Sequence, residues 1–285
     1  MAQSVAFLGP AGTHTEEALI ASAPPGVERV ARATLHETVM AVQTGDTDRA
    51  VVPIENSLEG GVAATLDVLA GEADGVRIVA ETVHPIHHQL VARPGMALAD
   101  VRSVISYPHA TGQCERFLHE RLPDSEWLPA SSTAEAVRMV SEPGGPDAAL
   151  GSALAAELYG CHVLAADVED RDDNLTRFVW LAPTADSATE VLPGSKTSVV
   201  FWGFNDASPG ALVAVLSELS DRSINLTRIE SRPRRVRLGH FMFFADLDGH
   251  AEEAHVDEAL RALRERVHTL RLLGSYPPGA TRAPR

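Results

Sequence analysis

Short apolar runs alternate with amphipathic stretches through the first two thirds of the chain, the rhythm of strands feeding helices in an α/β domain. The runs at residues 5–8, 50–54, 101–106, 148–151 and 161–165 read as strands. Stretches at 15–23, 62–70, 111–121 and 153–159 carry helical spacing and follow several of those strands directly. A last strand at 177–181 gives way to residues 184–196, small and polar with Pro193-Gly194, which read as a linker. Beyond it come strand 197–204, helix 210–221, strands 225–231 and 237–247, helix 253–267 and strand 268–273. That order is one βαββαβ unit of the ferredoxin-like kind. Ser208 is placed to cap its first helix, with Pro209 in the first turn. After Tyr276 the tail is rich in proline and small residues, has nothing to bury, and reads as mobile.

Composition narrows the partners. A length of 285 residues favours about two domains, and 45% apolar with 22% charged residues is ordinary for a chain that buries real cores. A formal net charge of -15 repels phosphate backbones and anionic lipid, so neither nucleic acid nor a membrane is expected as a partner. Cys114 and Cys161 form no metal or redox pair by spacing, which suits a reducing compartment. The start lacks a basic segment and a long apolar run, and no stretch approaches the ~18 apolar residues of a span. A cytoplasmic location is expected.

Candidate chemistry gathers at strand ends, where open α/β sheets place their ligands. After the first strand comes Gly9-Pro10-Ala11-Gly12-Thr13 and then the start of a helix. Glycine permits close backbone approach and a helix start favours an anion, but Thr13 with Glu16 fits a plain capping box equally well. The second strand ends in Pro53-Ile54-Glu55-Asn56-Ser57, the third in Ser106-Tyr107-Pro108-His109, and the fourth in Gly151-Ser152. Each delivers polar groups to the same kind of place, which points to a polar anion pocket. Asn174-Leu175-Thr176-Arg177-Phe178 adds an arginine able to hold a carboxylate in two-point fashion and a hydroxyl able to donate to a developing oxyanion.

Three further clusters carry less. His84, His87 and His88 suggest a metal, but the alternation of residues 86–91 reads as a strand, which turns adjacent imidazoles to opposite faces. Arg232, Arg234, Arg235 and Arg237 read as a solvated loop between strands, and Gly144-Gly145 as a plain turn.

In this order, Gly9-Pro10 with Gly12-Thr13, Val52 to Ser57 with Gly60, Asn174 with Thr176-Arg177-Phe178, Glu230-Ser231-Arg232-Pro233, and Leu273 to Pro277 resemble the motifs of prephenate dehydratases over nearly the whole chain. The resemblance implies an α/β catalytic domain of two lobes, similar to periplasmic binding proteins, at residues 1–184. The chain would cross between lobes near 80 and return near 165. A linker at 185–195, a ferredoxin-like ACT regulatory domain at 196–276 and a flexible tail at 277–285 would follow. With no further motif before Gly9, the chain looks like the monofunctional type.

The implied reaction is that of a carbon–oxygen lyase, prephenate to phenylpyruvate in phenylalanine biosynthesis, with no metal and no cofactor. Thr176 is expected to hydrogen-bond the leaving hydroxyl, Arg177 and the helix start near Gly12 and Thr13 to share the carboxylates, and Glu55 to be a proton source if its pocket raises its pKa. Asn56, Ser57, Ser106, Asn174 and Phe178 complete the expected substrate site. L-Phenylalanine is expected on the ACT domain at Asn205, Pro209, Gly210, Ala211 and Leu212 with Glu230, Ser231, Arg232 and Pro233. A homodimer or homotetramer is expected, since a lone ferredoxin-like unit leaves one sheet face and edge uncovered. Tyr107 stands where the family usually has histidine, so no role transfers to it. Arogenate dehydratase, a non-aromatising prephenate decarboxylase and a non-catalytic binding protein remain alternatives.

Overall fold

The apolar run at the start forms β1 (Ser4–Leu8) and leads into α1 (His14–Ser22), as the alternation implies. There follow β2 (Glu28–Arg32), α2 (Leu35–Thr44), β3 (Arg49–Asn56), the short β4 (Gly60–Gly61), α3 (Ala63–Gly71) and β5 (Val76–Pro85). A second group comprises β6 (Gln89–Ala92), β7 (Ser103–Ser106), α4 (Pro108–Gln113), α5 (Glu115–Arg121), β8 (Glu126–Pro129), α6 (Thr133–Ser141), β9 (Ala148–Gly151), α7 (Ala153–Leu158) and β10 (His162–Ala165). The chain then returns as β11 (Leu175–Pro183). This is a computed structural model, which describes residues 2–204 and 208–279.

Two sheets make two lobes. The first has the order β2-β1-β3-β11-β5, with β1 parallel to β2 and β3, and β11 antiparallel to both its neighbours. The second has the order β10-β6-β9-β7-β8. The outgoing crossover lies at residues 86–88, later than expected, because β5 pairs along the whole of β11, from Val76 against Pro183 to Pro85 against Leu175. Residues 86–88 are therefore not a strand, which corrects the alternation read there: β5 ends at Pro85 and β6 begins at Gln89.

The last third is β12 (Lys196–Trp202), α8 (Ala211–Ser220), β13 (Leu226–Pro233), β14 (Phe241–Asp248), α9 (Ala254–Arg266) and β15 (Thr269–Tyr276), with sheet order β13-β14-β12-β15. Its first helix starts later than Ser208 and Pro209 suggest. Gly210, at φ +80°, occupies the cap, and only glycine takes that backbone cheaply.

The period of two in these strands divides their side chains between two cores. Val199, Phe201, Ala245 and Leu247 pack under α8 and α9 with Val215, Leu219, Leu260 and Leu263. Val200, Met242, Phe244, Leu273 and Tyr276 face the other way and join Ile54, Leu66, Leu69 and Ile78 of the first lobe. Each large apolar side chain so buried contributes roughly 1.5–3 kcal/mol. The face expected to need a second copy is thus covered within the chain. What stays open is the β13 edge, where Ile229 is 44% exposed. The linker is tied down as well: Thr189 Oγ1 donates to the Ser275 carbonyl and Ser195 is buried. In the tail, Gly279 N donates to Glu81 at 3.1 Å, and 280–285 lie outside the described residues.

Candidate functional site

The pairing of β11 with its neighbours decides which side chains meet. Thr176 lies opposite Asn56 on β3 and His84 on β5, whereas Arg177 lies opposite Glu55 and Val83. Alternation then sends Thr176, Asn56 and His84 to the face between the lobes and Arg177 and Glu55 to the other.

From Thr176 a ring of polar groups can be followed through both lobes. Asn56 Nδ2 donates to Thr176 Oγ1 at 2.9 Å and lies 2.7 Å from Asn174 Oδ1, while Asn56 Oδ1 accepts from the backbone of Leu58 and Glu59. Asn174 Nδ2 donates to Gln113 Oε1 at 3.0 Å, and His88 Nε2 reaches the same oxygen at 3.0 Å. The amide oxygen of Gln113 carries no proton to donate, so the proton of His88 sits on Nε2 and Nδ1 carries a lone pair. The His88 ring stands edge-on to His14, with centroids 5.4 Å apart. His14 Nδ1 bonds Glu17 Oε2 at 2.8 Å, and His84 Nε2 lies 3.6 Å from that oxygen, which returns the ring to the partner strand of Thr176. His14 Nε2 and His88 Nδ1 are buried without a partner. Buried polar atoms of this kind call for a ligand or water.

Charge in the ring follows from burial and contact. Burial presses upward on the Glu17 carboxyl, but hydrogen bonds from His14 and His84, and their charge, outweigh it and hold the pKa at about 2. Burial, reinforced by the charge of His14, pushes His88 down to about 4. Between pH 6.5 and about 4 the unfolded chain accepts a proton at His88 that the folded chain refuses, so stability should fall as pH drops through that window. The shift corresponds to about 3 kcal/mol. Glu17 adds a further loss between pH 4.5 and about 2, because its carboxyl stays ionised only when folded. Urea midpoints at pH 7 and 4.5 measure the first effect. The drop should shrink in His88→Gln, and an undiminished drop would place the titration elsewhere.

Several expected site residues brace this ring rather than join it. Thr13 Oγ1 accepts from Glu16 N and donates to the Leu8 carbonyl, and the Glu16 carboxylate takes Gly12 N at 2.6 Å while pairing with Arg29. Thr13 thus caps the helix, although Glu16 reaches back to Gly12 N and not to Thr13 N as a full capping box would, and the Gly12 N–H that an anion could use is taken by that carboxylate. Gly12 instead joins the lobes. Its carbonyl accepts from Ser152 Oγ at 2.6 Å, and Tyr159 donates to the Ala11 carbonyl at 3.0 Å. A Cβ on Gly12 would stand 2.8 Å from Ala155 Cα, and φ is +90°. Gly12→Ala should therefore cost roughly 1–3 kcal/mol, read as a lowered thermal midpoint. An unchanged midpoint would mean that the lobes part freely here.

Ser57 Oγ donates to the Asp173 carbonyl and accepts from Leu175 N, fixing the start of β11. Ser106 Oγ donates to the Leu150 carbonyl inside the second lobe. Phe178 is core, edge-on to His84. Tyr107, 44% exposed, stacks on His109, whose Nδ1 lies 3.4 Å from Glu59 across the lobes.

Arg177 and Glu55 depart from expectation most. The Arg177 guanidinium is buried among Glu55, Glu81 and Asp246, at 3.2, 3.2 and 2.6 Å, so it is not free to clamp a substrate carboxylate. Burial disfavours its charge, and the Asp246 carboxylate, together with Tyr276 and Glu55, more than offsets that. Glu55 faces Arg177 and Arg228, away from Thr176, and is not placed as a proton source there. The strand pleat is the reason in both cases.

The histidines likewise separate. His87 bonds Glu169 at 2.7 Å while His88 turns inward. Among the described residues His87, Asp167 and Glu169 have ligand-type atoms within 4.8 Å of one another, yet Glu169 is already engaged by His87 and by His88 N. The arginine run is no free loop. Arg232 and Arg235 pair with Asp67 on α3, and Arg234 lies 5.2 Å over the Trp202 ring.

A cavity of about 410 Å³ opens at the start of α8, lined by Phe204, Ser208, Gly210, Ala211, Leu212, Phe241 and Phe243 among others. The helix has no side-chain cap; its first N–H, that of Ala211, donates to the Ser208 carbonyl, and among the described residues no side chain takes the N–H groups that follow. Pro209 does not line the cavity, and Asn205 lies outside the described residues. Glu230 and Arg232 face the first lobe instead: the Glu230 carboxylate covers Gly61, leaving no room for a Cβ, and Arg232 grips Asp67. Ser231 and Pro233 alternate to the exposed face.

His14, Glu17, His84, His88 and Gln113 enlarge the site beyond the residues expected from sequence. A His-x-x-Glu spacing at 14 and 17 and the histidine cluster were visible, but nothing in the sequence joins them.

The sequence model of the family described as prephenate dehydratase matches residues 5–186, and that of the ACT domain matches residues 205–265. A prephenate dehydratase of Mycolicibacterium vanbaalenii is 44% identical, over 96% of this chain and 91% of that protein. The crystal structure of prephenate dehydratase from Arthrobacter aurescens in complex with L-Phe is 39% identical, with a TM-score of 0.89 over 96% of this chain and 90% of that one. GqqA, described as a novel type of quorum quenching acylase, is 33% identical, with a TM-score of 0.87 over 98% and 99% of the two chains.

Proposed function

Because the chain belongs to the prephenate dehydratase family and carries an ACT domain behind its catalytic part, we propose that it converts prephenate to phenylpyruvate within the polar ring around Thr176. The observation that carries this reading is the Asn56 to Thr176 hydrogen bond inside a ring drawn from both lobes. Asn56 donates into Thr176 Oγ1, which leaves the threonine proton free to point at a departing ring hydroxyl. A threonine is too weak an acid to protonate hydroxide unaided, so the group acts by positioning and by stabilising developing charge. The imidazoles and amides around it supply the remaining polar contacts to a dianionic substrate. Loss of carbon dioxide with water leaves an aromatic ring, which drives the step.

In the same reading L-phenylalanine occupies the cavity at α8, with its carboxylate on the uncapped helix start and its ring among Phe204, Phe241 and Phe243. The Arthrobacter relative was crystallised with that amino acid. Val213, Val236, Leu238 and Phe241 expose apolar surface on this domain, and with the open β13 edge they fit pairing with a second copy in a homodimer or homotetramer. No helix among the described residues is long and apolar enough to cross a membrane, and we place the enzyme in the cytoplasm.

The test is an assay of the purified protein with prephenate, followed by phenylpyruvate formation, with arogenate and an acylated quorum signal run beside it. Turnover of prephenate supports the reading. Turnover of the acylated signal alone would move the function to that of GqqA, and no turnover of prephenate or arogenate would reject the dehydratase reading.

A further inference from the structure

Thr176 and Arg177 are neighbours in sequence whose side chains leave β11 on opposite faces, one into the polar ring and the other onto Asp246 of the ACT sheet. We propose that Asp246 is a positioning residue for the reaction: by holding Arg177 it sets the place of the Thr176 hydroxyl and makes the state of the ACT domain felt there. This rests on the function proposed above.

Both oxygens of Asp246 are committed. Oδ2 accepts from Arg177 at 2.6 Å, and Oδ1 accepts from Ser198 Oγ at 2.6 Å, which lies 2.7 Å from the buried Tyr276 hydroxyl. The carboxylate is therefore fixed by three strands of the ACT sheet, not by one side chain. Asp246 pairs with Ser198 on one side and Arg228 on the other, and its own strand also carries Phe241 and Phe243 of the α8 cavity. A ligand in that cavity touches the strand that grips Arg177.

On the catalytic side, the ladder between β11 and β3 slips its register between Arg177 and Phe178. Bulges of this kind re-aim side chains beside active sites and leave the strand less constrained by its ladder. The β5 ladder runs unbroken past this point, and the ion pairs of Arg177 add a hold one residue from Thr176 where the β3 ladder slips. Buried ion networks contribute weakly to net stability, and fixing one arrangement is their better-attested use.

The rival reading is that the pair only glues two domains. Asp246→Asn in the full chain separates the two when compared with Asp67→Asn, which removes the Arg232 and Arg235 contacts at the same domain interface without touching Arg177. We expect Asp246→Asn to lower kcat about 2- to 30-fold with KM changed less than about twofold, and to weaken phenylalanine inhibition by a similar factor. Asp67→Asn should leave kcat within about twofold. Equal losses in both variants, or a folded Asp246→Asn with normal kcat and normal inhibition, would overturn the proposal.

If Asp246→Asn does not fold, the double variant Arg177→Met/Asp246→Leu removes the charges together, and wild-type kcat there overturns it equally. In the wild-type protein, phenylalanine should alter hydrogen exchange at the amides of residues 175–178, and unchanged exchange under saturating phenylalanine would count against it. A wild-type protein inactive on prephenate would reject the proposed function itself, whereas active wild type with indifferent variants rejects only this inference.

Discussion

Thr176→Ala should keep the fold and lose roughly 10²- to 10³-fold in kcat, the range for removing one donor to a developing oxyanion. The substitution is a clean probe because Asn56 Nδ2 retains Asn174 Oδ1 and the Leu175 carbonyl as partners once the hydroxyl is gone. The ring should therefore stay in place, with a thermal midpoint close to that of the wild type. Thr176→Ser, which keeps the hydroxyl, should retain much of the rate. Steady-state kinetics with prephenate decide the matter: a kcat near wild type in the alanine variant would reduce Thr176 to a packing group and move the chemistry to the imidazoles of His14, His84 and His88.

Saturating L-phenylalanine should weaken prephenate binding by something like 5- to 150-fold, the usual size of an allosteric coupling. By linkage, prephenate must then weaken phenylalanine binding by the same factor, which calorimetry on the intact protein can check from both directions. The proposed site makes a local demand as well. Gly210 sits at φ +80° with no atom of the described residues within 4 Å of where a Cβ would stand, so the main cost of Gly210→Val is a backbone conformation that β-branched residues resist. The loop should rearrange and phenylalanine binding should be lost. Binding that survives Gly210→Val would put the ligand on another loop, and no binding to the intact wild-type protein would remove the sensor role altogether.

Much of the architecture can be read along the chain because it is written in local pattern. The runs at 5–8, 50–54 and 148–151 became strands, and the change of rhythm after 196 became the βαββαβ unit. Of the elements missed by that reading, β5 did carry some alternation, at Val76, Ile78 and Ala80, while others lacked it or were signalled by caps alone. The edge strand β2, Glu-Arg-Val-Ala-Arg, exposes most of its side chains, while Thr34 with Glu37 and Ser132 with Glu135 marked the starts of α2 and α6.

The sequence by itself determined the order of domains, the family motifs and the residue types available to the site. Tertiary structure alone decided which of them meet. Thr176 and Arg177 are adjacent in the chain, and adjacency suggests one shared site. Strand geometry separates them, and docking of the ACT sheet on the first lobe turns one face of β11 into an interdomain contact while the other faces the cleft. The converse holds for the His14–Glu17 pair, His84, Gln113 and Asn174, which lie far apart in sequence and on both sides of two crossovers. They converge because β11 returns to the first sheet between β3 and β5, and no local rule of spacing encodes where a returning strand will insert.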